Sequence, residues 1–293
     1  MASLKEIRTR IISVRSTQKI TSAMKMVSAA KLRRAQTSIL NFRPYSTNLS
    51  DIVCHLVSLK TEENTNPLEE IRNQENIVIV LITSNKGLCG SFNNAILKHS
   101  ENVLSKTYID QLQQNKVQFI CIGKKASDYV RKKRYPCLGA YNEIVNTCTY
   151  EGVSEIAVNL MNLYIDKKID KVEIVYSKFK NASNQTIVNT PYLPISFDGK
   201  AEDCSPIDFI CEPPKEILYQ QLIPALIKMK LYQCVLESLA SEHGARMTAM
   251  HKATENANDL IKELNLTYNK LRQASITNAL IEMVSGAESL NAK

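Results

Sequence analysis

Residues 218–264, LYQQLIPALIKMKLYQCVLESLASEHGARMTAMHKATENANDLIKEL, decide the fold of this chain. Stepping from Leu218 by four and three residues in alternation, twelve of the fourteen positions up to Leu264 are apolar or small. A repeat of 3.5 residues is typical of a coiled-coil seam. The repeat continues more weakly to Ile281, and it predicts one helix of roughly 70 residues, several times the usual length. A helix of this length favours a scaffolding or mechanical role.

A second helix of the same kind opens the chain. Ser3 and Glu6 have the spacing of a capping box, which marks a helix start. Apolar residues then recur at intervals of three and four, with a polar interruption between Gln18 and Ser28 and a resumption at Leu32. Pro44 should kink this helix without ending its pattern, because proline removes one backbone hydrogen bond.

The middle of the chain changes character. Residues 77–82, IVIVLI, form a continuous aliphatic run that predicts a strand buried on both faces. Further strands are predicted at 117–122, 172–176 and 186–195, with helices at 92–113, 124–133 and 151–165 between them. The last strand should lie at an edge, because Pro191 and Pro194 cannot donate to a ladder. Alternating strands and helices predict a largely parallel sheet.

The fold class predicted is therefore α+α/β, a long antiparallel coiled coil of N- and C-terminal helices with an inserted Rossmann-like α/β domain. Its parts are an N-terminal coiled-coil helix at 1–59, an α/β foot domain at 75–197, and a C-terminal coiled-coil helix at 213–290 that pairs with the first. Polar, proline-bearing linkers are expected at 61–74 and 198–214.

Two helices that flank an insertion must run antiparallel if they pair. If their domain-proximal ends meet near residues 57 and 215, paired positions add to about 272 for equal helical rise. Met24 would then lie near Met247 and Met250, and the last ~20 residues would project as a single helix. That projecting tip carries exposed apolar residues, which are marginal in water without a partner. They are Ile276, Ala279, Leu280, Met283, Val284 and Leu290.

Composition narrows the partners. No run of about twenty apolar residues exists, so no membrane span is expected, and eight cysteines without a CxxC pair favour free thiols in a reducing compartment. Net charge is +8, and the segment from Lys5 to Arg34 contains nine basic residues and a single acidic one, Glu6. This strip predicts an acidic partner, with nucleic acid, anionic lipid and an acidic protein surface all open.

Motifs for chemistry are weak. The turn Gly87-Leu88-Cys89-Gly90 follows a buried strand but lacks the spacing of a dinucleotide loop and the ending of a P-loop, so a tight structural turn is favoured. The four histidines have no metal-ligand spacing, and no nucleophile elbow or cysteine–histidine dyad is present. No catalytic residue, metal site or cofactor is therefore predicted.

Four segments resemble the gamma subunit family of F-type ATP synthases. At the N-terminus these are ITSAMKMV (20–27) with AKLRRA (30–35); in the middle, GLCG (87–90) with Phe92-Asn93; near the C-terminus, SEHGARMTAM (241–250) and YNKLRQASIT (268–277). The likeness covers the whole chain and is weakest between about Tyr108 and Pro213.

The resemblance implies a central rotor shaft that transmits torque between ion flow through a membrane c-ring and the nucleotide sites of an alpha/beta hexamer. It implies three alpha and three beta subunits, epsilon and the c-ring as partners, no cofactor, and a peripheral place on the cytoplasmic face of a bacterial plasma membrane. Six hexamer contacts are carried over: Met24, Lys25, Arg246, Gln273, Thr277 and Glu282.

Two other functions compete at this stage. A basic coiled-coil protein that binds nucleic acid would explain the N-terminal strip, although small residues interleave with its cations. An enzyme that uses the Gly87 turn to hold a nucleotide would explain the α/β domain.

Overall fold

The computed structural model describes residues 3–58, 66–181, 184–196 and 211–291. They group into two compact units, unit 1 from Met1–Val27 with Met247–Lys293 and unit 2 from Ser28–Arg246. The helices α1 (Leu4–Ser58) and α7 (Lys215–Asn291) each contribute to both units. The domain boundaries predicted at 1–59, 75–197 and 213–290 stay a prediction, and most of the two expected linkers, at 61–65 and 198–210, lies outside the described residues.

Both long helices begin where local chemistry predicts. The capping box is present, since the Ser3 N–H donates to Glu6 Oε2 at 2.9 Å and the Glu6 N–H donates to Ser3 Oγ at 3.2 Å. Helix α7 starts after Pro213-Pro214, and the carbonyl of Pro214 accepts from the N–H groups of Ile217 and Leu218. Each helix continues through its internal proline, Pro44 in α1 and Pro224 in α7.

Unit 1 is a two-helix antiparallel coil. Its apolar end buries Ile7 and Ile11 of α1 against Leu264 of α7. Polar pairs continue the contact: Gln18 Nε2 donates to Asn258 Oδ1 at 3.0 Å, and Thr254 Oγ1 donates to Thr21 Oγ1 at 2.9 Å. The polar interruption seen in the sequence is therefore part of the seam.

The predicted register of unit 1 is wrong by about one helical turn. Gln18 with Asn258 adds to 276, and Thr21 with Thr254 adds to 275, where 272 was expected. The extrapolation assumed that the helix ends near 57 and 215 lie level, whereas side-chain amide and hydroxyl pairs fix the register here.

The seam of α7 also changes phase in unit 1. From Met250 onward the buried or half-buried side chains are Met250, Ala253, Thr254, Ala257, Ile261, Leu264, Tyr268 and Leu271. Leu260, which the sequence stripe placed in the seam, is 36% exposed. Small residues at 253 and 257 left the phase ambiguous in the sequence, and the hydrogen bond of Thr254 to Thr21 settles it.

Unit 2 contains a five-stranded sheet in the order β3-β2-β1-β4-β5. The strands are β1 (Ile77–Ile82), β2 (Val117–Ile122), β3 (Cys137–Ala140), β4 (Lys171–Phe179) and β5 (Gln185–Leu193). The first four are parallel, and β5 pairs with β4 antiparallel. The largely parallel sheet and the edge position of the last strand are confirmed.

The helices of unit 2 are α2 (Phe92–Thr107), α3 (Ile109–Gln113), α4 (Lys124–Lys133), α5 (Ile144–Thr147) and α6 (Tyr150–Ile165). The single helix predicted at 92–113 is broken at Tyr108, where φ is −127°. The Tyr108 side chain is buried, and its hydroxyl donates to the buried carboxylate of Glu173. The short elements β3 and α5 were missed, because four residues carry no readable period.

Two apolar layers cover the sheet. One face packs against α2 and α4 through residues such as Phe92, Ile96 and Val130. The other face packs against α6 and against α7, with parts of α1 joining the same cluster. From Val235 to Glu242 every residue of α7 is buried, and Ser241 Oγ donates to the carbonyl of Ser177 in β4 at 3.0 Å. This segment of α7 is enclosed on all sides.

Replacing Gly123 by alanine tests the junction between β2 and α4. Gly123 has φ +106°, and a Cβ there would lie 2.2 Å from the Thr83 carbonyl oxygen. Gly123→Ala should therefore lower the free energy of unfolding by about 2 kcal/mol or more, measured by urea denaturation. The matched control is Gly87→Ala, whose Cβ meets nothing within 4 Å and should change stability by less than about 0.5 kcal/mol. Equal losses of stability in the two variants would contradict the close approach of Gly123 to the Thr83 carbonyl.

Candidate functional site

The described residues hold no constellation for metal chemistry. Within 3–58, 66–181, 184–196 and 211–291, no group of three or more His, Cys, Asp or Glu side chains could hold an ion. No helix in this part of the chain is long and apolar enough to cross a membrane.

The turn after β1 is closed by its own side chains. The Ser84 N–H and Oγ both donate to Asn93 Oδ1 at 3.0 Å, and Asn93 Nδ2 lies 3.1 Å from the buried Cys89 Sγ. Leu88 and Gly90 adopt positive φ angles of 64° and 61°. These contacts commit the polar groups of the turn to the fold, as a structural turn requires.

Arg246 of α7 holds this turn from the helix side. Its Nη2 donates to the carbonyl oxygens of Lys86 at 3.1 Å and Gly87 at 3.4 Å, and its Nη1 lies 2.5 Å from Glu242 Oε1. Arg246 is only 8% exposed. The sequence placed Arg246 among the partner contacts, and in this structure its guanidinium is engaged within unit 2.

Burial shapes the titration of the neighbouring groups. Desolvation raises the pKa of Glu242, while the charge and hydrogen bond of Arg246 oppose that rise. Desolvation lowers the pKa of His243 to about 4, and the charges of Arg246 and Lys31 add to this effect. The buried His243 Nδ1 has no hydrogen-bond partner among the described residues. His243 is therefore neutral at physiological pH.

Met24 and Lys25 lie in unit 1, half-buried, and are not grouped with Arg246, which belongs to unit 2. Lys25 Nζ lies 3.5 Å from His251 Nδ1 on α7. Near the same segment of α1, sequence reasoning missed three large apolar side chains that face solvent. Ile20 is 58% exposed, Met26 65% and Val27 58%. The signal for them was present, since these positions fall outside the three–four stripe of the seam.

Gln273, Thr277 and Glu282 are exposed on the last part of α7. At 100° per residue, Gln273 and Thr277 share one side of the helix and Glu282 lies on the opposite side. A single flat partner cannot contact all three residues at once. Contacts at these positions require a partner surface that surrounds the helix.

The segment 272–287 is exposed along its whole length. Its large apolar side chains lie within an arc of roughly 160° at 100° per residue, and all are more than half exposed: Ile276, Leu280, Ile281, Met283 and Val284. Apolar surface of this extent is typical of a protein contact site. The side chain of Leu290, also predicted for the tip, lies outside the described part.

The basic strip of α1 is also open to solvent. Its exposed members are Lys5, Arg8, Arg10, Arg15, Lys19, Lys31, Arg33 and Arg34. Within the described residues, none of them makes an ion pair. An acidic partner would find this strip accessible.

The fold and these surfaces define a two-helix coiled-coil protein with an inserted α/β domain, whose helices expose both apolar and basic contact surfaces. A family model described as "ATP synthase" matches residues 3–290. The ATP synthase gamma chain of Christiangramia forsetii is 46% identical over 292 residues, which cover 99% of this chain and 100% of that protein. The chain belongs to the ATP synthase gamma chain family.

Solved structures show the same fold. A chain of the Euglena gracilis mitochondrial ATP synthase rotor in rotational state 1 matches with a TM-score of 0.64 and 21% identity, over 93% of this chain and 98% of that one. A chain of the same enzyme's OSCP/F1/c-ring structure in rotational state 3 matches with a TM-score of 0.67 and 20% identity, over 99% and 95%. The predicted fold class is confirmed.

The state of His243 gives a pH-dependent prediction. Its folded pKa of about 4 lies below the ordinary value of 6.5, so the unfolded chain binds more protons between these pH values and stability falls as pH drops through them. His243→Gln should remove up to about 2 kcal/mol of that loss. Urea denaturation at pH 7.5 and pH 4.5 measures it, with the exposed His251→Gln as the control that should behave like the parent chain.

A double-mutant cycle tests the buried ion pair. Arg246→Met leaves the Glu242 carboxylate buried without its cation and should destabilise the chain by about 3–5 kcal/mol. Arg246→Met combined with Glu242→Gln should recover much of that loss, because the uncompensated charge is gone. Additive losses in urea denaturation would show that the two side chains act independently.

Proposed function

We propose that this chain is the central rotor shaft of an F-type ATP synthase. It transmits torque between ion flow through the membrane c-ring and the nucleotide sites of the alpha/beta hexamer. The exposed apolar segment 272–287 of α7 carries the proposal. A water-exposed helix with a broad face of large apolar side chains needs a partner that covers this face, and a hexamer of alternating alpha and beta subunits supplies a central cavity that can receive it.

Contact with the hexamer is assigned to both helices of unit 1 and to Arg246. Gln273, Thr277 and Glu282 lie on different sides of α7, which suits contact with several subunits around a central axis. Met24 and Lys25 neighbour the exposed apolar residues of α1. The Arg246 guanidinium is already bonded to the Gly87 turn. We therefore propose that a partner contacts Arg246 where it is, as a positively charged side chain held in a fixed position on α7.

The construction of the chain suits torque transmission. Both units are built on α1 and α7, each of which runs unbroken through its unit boundary. Within unit 2, the segment Val235–Glu242 is enclosed, and α7 packs against the sheet and α6. Rotation of α7 about its own axis would therefore break these apolar contacts. The foot formed by unit 2 is assigned to epsilon and the c-ring.

The chain itself is proposed to be non-catalytic. In the Gly87 turn the Ser84 N–H is held by Asn93 and the Lys86 and Gly87 carbonyls face the Arg246 guanidinium, and the turn lacks the lysine and serine or threonine that end a P-loop. This argues against the enzyme hypothesis. The comparisons give no support to the nucleic-acid hypothesis, and exposed apolar residues such as Ile12 and Ile20 share α1 with the cations, which favours an acidic protein surface. The complex is placed at the cytoplasmic face of a bacterial plasma membrane.

Reconstitution tests the function directly. The purified chain should show no ATPase activity alone, and should restore activity to a mixture of alpha and beta subunits from the same source. The triple variant Ile276→Gln/Leu280→Gln/Val284→Gln should have the circular dichroism spectrum of the parent chain. It should nevertheless lower the yield of assembled complex at least about fivefold, because the apolar contacts are lost. A folded parent chain that never joins the alpha–beta mixture would refute the proposal.

Truncation separates the parts of the tip. Deletion of the residues beyond Gly286 should weaken assembly modestly, because most of the exposed apolar side chains remain. Deletion from Gln273 onward removes all of them and should impair assembly or ATP-driven rotation severely. Rotation of a bead attached to single reconstituted complexes measures torque. Equal performance of the two truncations would show that the segment 273–286 has no role.

A further inference from the structure

One edge of the sheet in unit 2 is open. Strand β3 forms one edge of the sheet, whose order is β3-β2-β1-β4-β5, and no described strand lies beyond it. Cys137, Leu138 and Ala140 are exposed, Leu138 to 41%. An open edge strand is a template for pairing with another extended chain.

The backbone groups of β3 show which positions are available. The Phe119 N–H donates to the Pro136 carbonyl at 2.9 Å, and the Tyr141 N–H donates to the Cys121 carbonyl at 2.7 Å. In a parallel ladder, residues bonded to the neighbour alternate with residues that face away, and a register shift between Phe119 and Ile120 adds one residue, Leu138, on the β3 side. With Phe119 paired to Cys137 and Cys121 paired to Ala140, the N–H and C=O groups of Cys137 and Ala140 point away from β2.

Positive charge accumulates beside this edge. Helix α4 and the residue after it carry six cations against Asp128: Lys124, Lys125, Arg131, Lys132, Lys133 and Arg134. Arg131 pairs with Asp128 at 2.9 Å, and Lys133 pairs with Glu101 at 3.0 Å. The other four make no ion pair with any residue that the structure describes.

Three cations of this cluster lie beside the outward-facing backbone of β3. Lys124, Arg131 and Arg134 line a surface hollow whose wall also includes Cys137 and Ala140. A strand added at β3 would project alternate side chains into this hollow, since successive residues of a strand point to opposite faces. Carboxylates at those positions would neutralise the cluster.

We propose that β3 is a docking edge for an extended acidic segment of a partner protein, which adds to the sheet as a sixth strand. The cations exclude a second copy of this basic chain, because like charges would face each other across the new pair. They attract an acidic strand for the same reason. The proposal does not depend on the rotor function, and either can fail without the other.

The test uses the full chain and a fluorescent eight-residue peptide of alternating glutamate and valine, followed by anisotropy at low salt. The peptide should bind, and its lysine–valine counterpart should not. Ala140→Pro removes one outward N–H and should weaken binding about fivefold, the effect of one hydrogen bond. Ala140→Thr keeps that N–H and should bind within about twofold of the parent chain.

A second pair of variants tests the charges without altering the strand. Lys124→Gln/Arg134→Asn should weaken binding about fivefold, an effect that shrinks with added salt. Lys98→Gln/Lys106→Gln removes two exposed cations of α2 and should leave binding unchanged. Full binding by a folded Ala140→Pro chain, or equal losses in both charge variants, would overturn the proposal. So would binding to phosphatidylglycerol vesicles with no binding to the peptide.

Discussion

The enclosure of α7 between Val235 and Glu242 is the constraint on which unit 2 depends. A helix buried all round must satisfy its polar side chains internally, and Ser241 does so through the Ser177 carbonyl of β4. One turn beyond the enclosed segment, Arg246 donates to carbonyl groups of the Gly87 turn. The sheet consequently orders the helix, and the helix orders the turn that ends β1. The same turn contains Leu88 and Gly90, both at positive φ angles.

Unit 1 follows a different logic. Its seam is most apolar toward Ile7 and Leu264, and from Gln18 onward polar pairs and small residues enter the seam beside the buried Met250. Polar pairs contribute less apolar burial than leucine would, but a hydrogen bond between named side chains has one correct register. The coil therefore gives up stability for a defined alignment of α1 against α7, which suits a helix pair whose outer surfaces must be presented in fixed positions.

Much of this fold could be predicted from the sequence, for reasons that also explain the errors. The aliphatic run 77–82, the capping box at Ser3 and the long stripe of α7 each have a strong local signal. The phase of the seam near Leu260 had none, because small residues at 253 and 257 fit either alternative. Tyr108 broke a predicted helix through a tertiary contact with Glu173. The burial of Arg246 was equally invisible, since an arginine bound by distant carbonyls looks in sequence like any exposed arginine.

The exposed apolar side chains of the segment 272–287 also affect the chain before it meets a partner. Ile276, Leu280 and Met283 would offer any unoccupied chaperone or protease an unfolded-looking end on an otherwise folded molecule. A free copy of the chain is therefore expected to be prone to self-association until a partner covers this surface.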